Sequence, residues 1–319
     1  MRELIERSKQ LMEEGKIGRV LGWKAGDLAY DVEPAYFSEI DELDNLIYDS
    51  FCGANLSKFL IRNTEPTLVF LKPCDTYSFN QLLKENQIER ENVYIIGIGC
   101  YGKLDFEIIK AKGIKGILGT SQNGSDLVIE TLYGEKTIAY SEALLERCRT
   151  CKGKTHMIYD ELMLDSADTT VKGRFEDVVE IEKLPSEERF EFFQKALKSC
   201  IRCNACRNVC PACNCRKCVF DSNKFDSEQK ANTVSFEEKM FHLIRGFHIA
   251  GRCTDCGECS RVCPQNIPLH LLNRKQIKDF HGLYGEFEAG SDAESKGPLT
   301  EFTLDDTEAN QVRGGNFSV

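Results

Sequence analysis

The sequence has few of the features that mark secreted, membrane or nucleic-acid-binding proteins. It contains no run of about 18 apolar residues and no apolar segment after Met1, so neither a membrane span nor a secretory leader is predicted. The formal net charge is −10, which argues against nucleic acid or an anionic membrane surface as a partner. We therefore expect a cytoplasmic protein.

Residue patterns that carry common catalytic chemistry are equally scarce. No Ser-His-Asp pattern, phosphate-binding loop or paired carboxylates stand out. The five histidines show no metal-ligand spacing, and we expect them to be ordinary surface or packing residues. They are His156, His242, His248, His270 and His281.

Cysteine is what the sequence does have, with 16 in 319 residues. That density is below the level of small disulfide scaffolds, so the thiols are expected to serve metal in a reducing compartment. Cys200–Pro211 and Cys253–Pro264 both have the spacing C-x2-C-x2-C-x3-C-P, which is an iron–sulfur signature of bacterial ferredoxins. Two such runs predict two 4Fe–4S clusters.

In this signature the fourth cysteine of each run reaches the cluster of the other run. Zinc sites or idle thiols fit the pattern poorly, because zinc is bound by paired ligands rather than by two triads with outlying fourth residues. The predicted ligands are Cys200, Cys203, Cys206 and Cys263 for cluster 1, and Cys253, Cys256, Cys259 and Cys210 for cluster 2.

Four cysteines of the N-terminal half form a second group. The apolar runs Thr67–Leu71 and Val93–Ile96 predict neighbouring parallel strands joined by a helix. Ligands bind at the carboxyl ends of such strands, and helix N-termini there are expected to favour thiolates. Cluster 3 is therefore possible, although a redox-active dithiol, a zinc half-site or buried inert thiols are alternatives. Its candidate ligands are Cys74, Cys100, Cys148 and Cys151.

Three further thiols follow the first run within nine residues, at Cys213, Cys215 and Cys218. With Cys52, the one cysteine otherwise unassigned, they make a possible cluster 4. The alternative is a shifted register, in which Cys213 replaces Cys210 as the outlying ligand of cluster 2.

A competing motif lies between the predicted strand and the helix that follows it. Gly97, Gly99 and Gly102 form a G-x-G-x-x-G pattern, the fingerprint of a dinucleotide-binding turn. No acidic residue closes a second strand about 20 positions later, as that fingerprint requires. The pattern therefore leaves cofactor binding at this turn open.

The chain-wide pattern predicts an α/β N-terminal domain with a small parallel or mixed sheet and a mainly α-helical dicluster ferredoxin domain. A helix after Ser38 and a hairpin over 127–140 are expected within the first domain. The predicted boundaries are 1–165 for the α/β domain, 166–185 for a linker, 186–284 for the ferredoxin domain and 285–319 for an acidic tail that is extended or disordered.

The sequence resembles the beta-type iron–sulfur subunits of anaerobic oxidoreductases. This family includes the beta subunits of deazaflavin-coenzyme hydrogenases and dehydrogenases, the beta subunit of sulfhydrogenase and the corresponding subunit of anaerobic sulfite reductase. The resemblance covers residues from about 50 to 275 and has the ferredoxin runs after the α/β domain, unlike the deazaflavin enzymes. The motifs that carry it are Lys72-Pro73-Cys74-Asp75, Ile95-Ile96-Gly97-Ile98-Gly99-Cys100, Cys148-x2-Cys151 and the two ferredoxin runs.

The resemblance implies an electron-transfer subunit of a hydrogenase, formate dehydrogenase or heterodisulfide-reductase-like complex. Its partners would be other subunits of that redox complex, with no nucleic acid and no direct membrane span. Two alternatives belong to other classes: an FAD-containing subunit that oxidises or reduces a nicotinamide or deazaflavin coenzyme, and an adaptor whose extra cysteines bind structural zinc.

Overall fold

The computed structural model describes residues 1–153, 155–163, 173–221 and 235–300, and only the backbone of 235–238. It combines helices with a mixed sheet, which confirms the predicted α/β content. The α-helices are α1 (Arg2–Glu13), α2 (Pro73–Lys84), α3 (Phe106–Ala111), α4 (Glu146–Arg149), α5 (Glu176–Glu182), α6 (Ser186–Lys198), α7 (Ala205–Asn208), α8 (Ser235–His248), α9 (Glu258–Arg261) and α10 (Leu269–Tyr284). The strands are β1 (Arg19–Ala25), β2 (Val32–Phe37), β3 (Leu46–Ile47), β4 (Thr67–Leu71), β5 (Val93–Ile98), β6 (Ile117–Asn123), β7 (Asp126–Thr131), β8 (Lys136–Ala139) and β9 (Glu161–Met163).

The central sheet has the strand order β2-β1-β4-β5-β9, and β3 also pairs with β1. Strands β1, β4, β5 and β9 run parallel, whereas β2 and β3 pair with β1 in the antiparallel sense. Every residue of β4 is buried, as expected for an apolar run in a sheet covered on both faces. The parallel pairing of β4 with β5, with α2 between them in the chain, confirms the predicted unit.

The helix predicted after Ser38 is wrong in type and length. Residues Ile40–Asn45 form a short 3-10 helix, and β3 follows it at once and pairs with β1. The Glu42 carboxylate accepts hydrogen bonds from the amides of Ser38 and Glu39, at 2.8 and 3.2 Å. These bonds fix a tight turn, so the apolar residues pack against β1 instead of continuing a helix.

Strands β6, β7 and β8 form a separate antiparallel sheet with its own apolar core. The pairing of β7 with β8 confirms the predicted hairpin. Leu104, which follows β5 in the chain, bridges Leu144, which follows β8. This bridge brings the loop after β5 beside the segment that carries α4.

Each cysteine run follows a helix and contains a short one. Helix α6 leads to the first run and α8 to the second, and these two helices pack together. Helices α7 and α9 lie at the same position in the two runs. The sequence repeat is thus a structural repeat.

The chain after α10 forms an arm along α2. Asn80 Nδ2 donates to the carbonyl of Gly290 at 3.1 Å, and Ala289 is buried. Residues 285–300 are therefore packed, rather than disordered as the sequence allowed. Residues 166–172 of the predicted linker and 301–319 of the predicted tail lie outside the described part. Within that part, no helix is both long and apolar enough to cross a membrane.

Candidate iron–sulfur centres

Thiols of the first run share a small cavity with one thiol of the second. Cys200, Cys203, Cys206 and Cys263 all line it. Cys206 lies within electrostatic range of Cys203 and Cys263. Cys200 and Cys263 pack against the same apolar core as Cys206. One cavity therefore holds three thiols of the first run and the last thiol of the second.

Cys210, the last thiol of the first run, lies with the second run. Its charge acts on Cys253, Cys256 and Cys259, and Cys253 packs against the same core as Cys210. Burial is the largest cause that raises the pKa of Cys259 to about 12, and it also raises the pKa of Cys253 and Cys256. Without a metal these buried thiols are neutral, so a cationic metal is what would favour their thiolate forms.

The same backbone conformation bends both runs. Arg202 and Asp255, the third residues of the runs, have φ of 54° and 57°. Asn204 and Gly257, two positions later, have φ of 62° and 69°. Left-handed residues in such turns direct successive amides into a concavity that binds anionic groups, including iron–sulfur clusters. The sequence spacing is thus matched by a backbone shaped for an anion.

Hydrogen-bond donors lie against a sulfur of the first cavity. The Arg202 amide donates to Cys200 Sγ at 3.4 Å, and His242 Nε2 is 3.2 Å from the same sulfur. Burial, aided by the charges of Arg245 and Arg202, lowers the pKa of His242 to about 3, so its neutral ring can donate through Nε2. The expectation that His242 is an ordinary packing residue is therefore wrong, because hydrogen bonds to ligand sulfur tune cluster potentials.

Arg245, on α8, lies between the two thiol groups. Its side chain is buried, and Nη2 donates to the carbonyl of Cys206 at 2.9 Å. Its charge acts on Cys206 of the first cavity and on Cys210 and Cys259 of the second group. A buried cation at this position compensates the negative charge that two sets of thiolates would bring.

The four N-terminal candidates also converge. Cys74 is the second residue of α2, directly after β4, and Cys100 lies two residues after β5. Cys74 is within electrostatic range of Cys100, and Cys148 is within range of Cys100 and Cys151. The fold therefore brings together the thiols that the sequence assigned to cluster 3.

The expectation that helix N-termini favour thiolates at Cys74 and Cys100 is wrong for the metal-free protein. Burial and the neighbouring Asp75 carboxylate raise the pKa of Cys74, and Arg147 opposes them only in part. Cys100 precedes no helix directly, because α3 begins at Phe106. Desolvation outweighs the helix dipole at these positions.

Buried cations surround the N-terminal thiols. Lys72 pairs with Asp75 at 2.7 Å, and Lys103 donates to the carbonyl of Asp49 at 2.7 Å. Arg147 Nη1 lies 3.8 Å from Cys74 Sγ. All three cations lie within electrostatic range of N-terminal thiols. Buried charges are stable only when compensated, so this cage fits an anionic group held by thiolates.

Arg147 also connects the N-terminal thiols to the second run. Its Nη2 lies 3.8 Å from Glu258 Oε1, and its charge acts on Cys256 as well as on Cys74. Gly257 packs directly against it, because a Cβ added there would lie 1.9 Å from Arg147 Cδ. One guanidinium thus lies between two candidate centres.

Cys52 lies apart from the thiols with which the sequence grouped it. It is fully buried, and burial raises its pKa to about 12. The Asp49 amide donates to its sulfur at 3.2 Å. Cys213, Cys215 and Cys218 instead line one cavity of about 240 Å³, among whose lining residues Cys52 is absent.

The glycine-rich turn after β5 faces protein side chains. A Cβ at Gly97 would lie 3.0 Å from His156, and one at Gly102 would lie 2.6 Å from Leu144. The Asp105 carboxylate accepts from the first amides of α3, where a dinucleotide phosphate would bind. These contacts weigh against a pyrophosphate at this turn.

No three Cys, His, Asp or Glu side chains in the described ranges close on a single ion. The four thiolates of a 4Fe–4S cube bind four different irons and therefore lie farther apart than the ligands of one zinc ion. The wider grouping of the thiols, the nests and the buried cations all fit such clusters.

Sequence reasoning missed the charged residues around the thiols. Arg147 directly precedes Cys148 and Lys72 lies two residues before Cys74, so adjacency to a cysteine was an available signal. Arg245 and Glu258 had no such signal, because only packing places them between centres.

Comparison with known proteins agrees with these centres. Residues 196–267 match the family model described as a 4Fe-4S dicluster domain. The chain is similar to the F420-dependent formate dehydrogenase subunit beta of Methanocaldococcus jannaschii, with 25% identity over 332 residues covering 85% of this chain and 87% of that protein. It is a beta-type iron–sulfur subunit. As such, it is an electron-transfer protein that carries 4Fe–4S clusters.

Two further proteins are similar to this beta-type subunit. The F420-dependent formate dehydrogenase 1 subunit beta of Methanococcus maripaludis is 24% identical over 340 residues, covering 85% of this chain and 87% of that protein. A chain of the F420-reducing [NiFe] hydrogenase complex from Methanosarcina barkeri aligns with a TM-score of 0.39 and 14% identity, over 62% of this chain and 88% of that one.

Proposed function

We propose that this subunit relays electrons between partner subunits of a cytoplasmic anaerobic oxidoreductase complex, such as a formate dehydrogenase, a hydrogenase or a heterodisulfide-reductase-like assembly. Two full-length relatives are named as formate dehydrogenase beta subunits, which supports the first of these. The described residues would act within a mainly α-helical ferredoxin domain joined to the α/β domain.

The single observation that carries the proposal is the position of Arg147 between Cys74 and the second cysteine run. We assign Cys200, Cys203, Cys206 and Cys263 to cluster 1, Cys253, Cys256, Cys259 and Cys210 to cluster 2, and Cys74, Cys100, Cys148 and Cys151 to cluster 3. Bound clusters supply one-electron transfer. The residues around them hold the thiols in place, exclude water and set potentials through charge and N–H···S bonds.

The metal content of protein purified without oxygen tests this function. We expect about 16 iron atoms per chain and matching sulfide if four clusters are present, and about 12 if only clusters 1 to 3 are. About 8 iron atoms would limit the protein to the ferredoxin pair. Stoichiometric zinc at the additional cysteines would support the adaptor function instead.

Replacing Cys148 by serine tests cluster 3 by itself. We expect the variant to lose about four iron atoms per chain while the electron paramagnetic resonance (EPR) signals of clusters 1 and 2 remain. The physical reason is that Cys148 belongs to the N-terminal thiol group, which the first and second runs do not need. Cys52→Ser is a matched control, because Cys52 is a buried thiol outside that group. Unchanged iron in Cys148→Ser would remove cluster 3.

A second candidate function is that of a flavin subunit. A cavity of about 690 Å³ lies beside Cys263 and is within the size range of cofactor pockets. Tyr30 and Phe106 stack in its wall at 3.8 Å between ring centroids, and Arg261 lines it too. Stoichiometric flavin in the purified protein would establish this alternative, and an FAD-free protein with intact clusters would exclude it.

A further inference from the structure

The three thiols that follow the first run share a cavity with a histidine. Cys213, Cys215 and Cys218 line it together with His248, which is near the end of α8. The four candidate ligands of cluster 1 share a cavity in the same way. Cys52, by contrast, has its contacts at Asp49, on the N-terminal side. The cavity therefore suggests a ligand set different from the one that cysteine counting predicts.

The size and charge of this cavity favour a compact anionic group. Its volume of about 240 Å³ is below the range of about 300 to 1,000 Å³ typical of sites for nucleotide-sized or drug-sized ligands. Lys58, Arg216 and Arg252 line it. Lys58 Nζ donates to the carbonyl of Cys213 at 2.9 Å, which ties the cysteine segment to the α/β part. Such a basic wall stabilises thiolates that bind a cluster.

His248 is placed to complete the ligand set. Its ring lies 6.3 Å from that of Phe220, between centroids, and Phe220 also lines the cavity. Its carbonyl accepts a hydrogen bond from Arg252 Nη1 at 3.1 Å, which anchors the end of α8 beside the thiols. Imidazole replaces thiolate as an iron ligand in some iron–sulfur centres and raises their potential.

We propose that Cys213, Cys215, Cys218 and His248 hold a 4Fe–4S cluster with three thiolate ligands and one imidazole ligand. This proposal deepens the proposed function by giving cluster 4 a ligand set that excludes Cys52. One fewer thiolate makes the cluster less negative than an all-cysteine one, so it accepts an electron more readily. Electrons would therefore tend to reside at this cluster rather than at its neighbours.

Iron analysis of three variants, made in the full chain and purified without oxygen, tests the cysteine part. We expect Cys215→Ser to lose about four iron atoms per chain, and Cys52→Ser to keep the wild-type iron content. Cys148→Ser serves as the comparison, because its loss concerns cluster 3 and shows that clusters elsewhere are countable. Equal iron loss in Cys52→Ser and Cys215→Ser would restore Cys52 as the ligand and overturn the proposal.

Nitrogen hyperfine spectroscopy tests the histidine. In reduced protein labelled with [15N]histidine, we expect a strong nitrogen coupling that disappears in His248→Gln and persists in His281→Gln. His281 is a suitable control because its ring contacts the carbonyl of Phe287, away from the cysteines. Persistence of the coupling in His248→Gln would overturn imidazole ligation. Zinc lost from Cys215→Ser in place of iron would overturn the cluster.

The two proposals fail differently. If wild-type protein holds about 12 iron atoms per chain and Cys215→Ser holds the same, the electron-transfer function stands and the fourth centre does not exist. If wild-type protein lacks iron beyond the ferredoxin pair, the multi-cluster relay fails as well.

Discussion

Gly257→Ala is expected to abolish cluster 2 and to lower the iron content by about four atoms per chain. Gly257 lies between Cys256 and Glu258 and has φ of 69°. A side chain in the left-handed region costs on the order of 1 to 3 kcal/mol where the surroundings impose it. That cost alone would weaken this segment.

The larger effect comes from the contact with Arg147. An alanine Cβ would lie 1.9 Å from Arg147 Cδ and 2.7 Å from Cγ, so the arginine stem must move. Moving it breaks the electrostatic link to Glu258, which is fully buried. Separating one partner from a buried charge costs several kcal/mol when nothing replaces it, although Arg261 still pairs with Glu258 here. We therefore expect lower thermal stability together with the loss of iron.

Asn204→Gly is the matched control for this prediction. Asn204 occupies the equivalent position in the first run and has φ of 62°. Glycine relieves a left-handed asparagine, so cluster 1 should remain. The measurements are iron content, the EPR spectrum of the reduced protein and the unfolding temperature. A Gly257→Ala variant with full iron and wild-type spectra would show that Arg147 can move away freely.

The second large effect is expected at Arg245. Replacing it by methionine removes a buried positive charge that lies between clusters 1 and 2. At a separation of about 8 Å and an effective dielectric constant near 20, one unit charge is worth roughly 2 kcal/mol, or about 90 mV for a one-electron couple. Reduction adds negative charge to a cluster, so Arg245→Met should lower both potentials by an amount on this order.

Arg245→Lys should restore part of the potential, because it keeps the charge but shifts its position. The side-chain bond to the Cys206 carbonyl would be weakened in both variants, so a purely structural role predicts no difference between them. Lys239→Met, on the same helix, removes a charge that lies near Phe190 at the surface and should leave both potentials unchanged. Redox titration followed by EPR distinguishes these outcomes. Equal potentials in Arg245→Met and wild type would remove Arg245 from the tuning of the clusters.

The sequence predicted the elements whose signals are local. Thr67–Leu71 is an uninterrupted apolar run, and it is the buried strand β4. The hairpin of β7 and β8 follows from alternating residues around a glycine turn. The helix after Ser38 failed because Glu42 closes a short turn and β1 provides a partner for Leu46. Competition from another strand is not visible in a local pattern.

For the centres, spacing determined which cysteines act together wherever the thiols lie in one run. Cys52 was assigned by elimination, and its chain position says nothing of which wall it faces. The contribution of Arg147 likewise depends on where α4 packs against α9.

The sequence by itself determined that this protein binds 4Fe–4S clusters, because the C-x2-C-x2-C-x3-C-P runs encode ligand type and local geometry together. The crossing of Cys210 and Cys263 was also implied by that spacing. Only the tertiary structure decided which buried charges lie between the thiol groups and which residues share the cavity of Cys213, Cys215 and Cys218. The reason is that electrostatic compensation of buried thiolates depends on distances between segments far apart in the chain, and packing alone sets those distances.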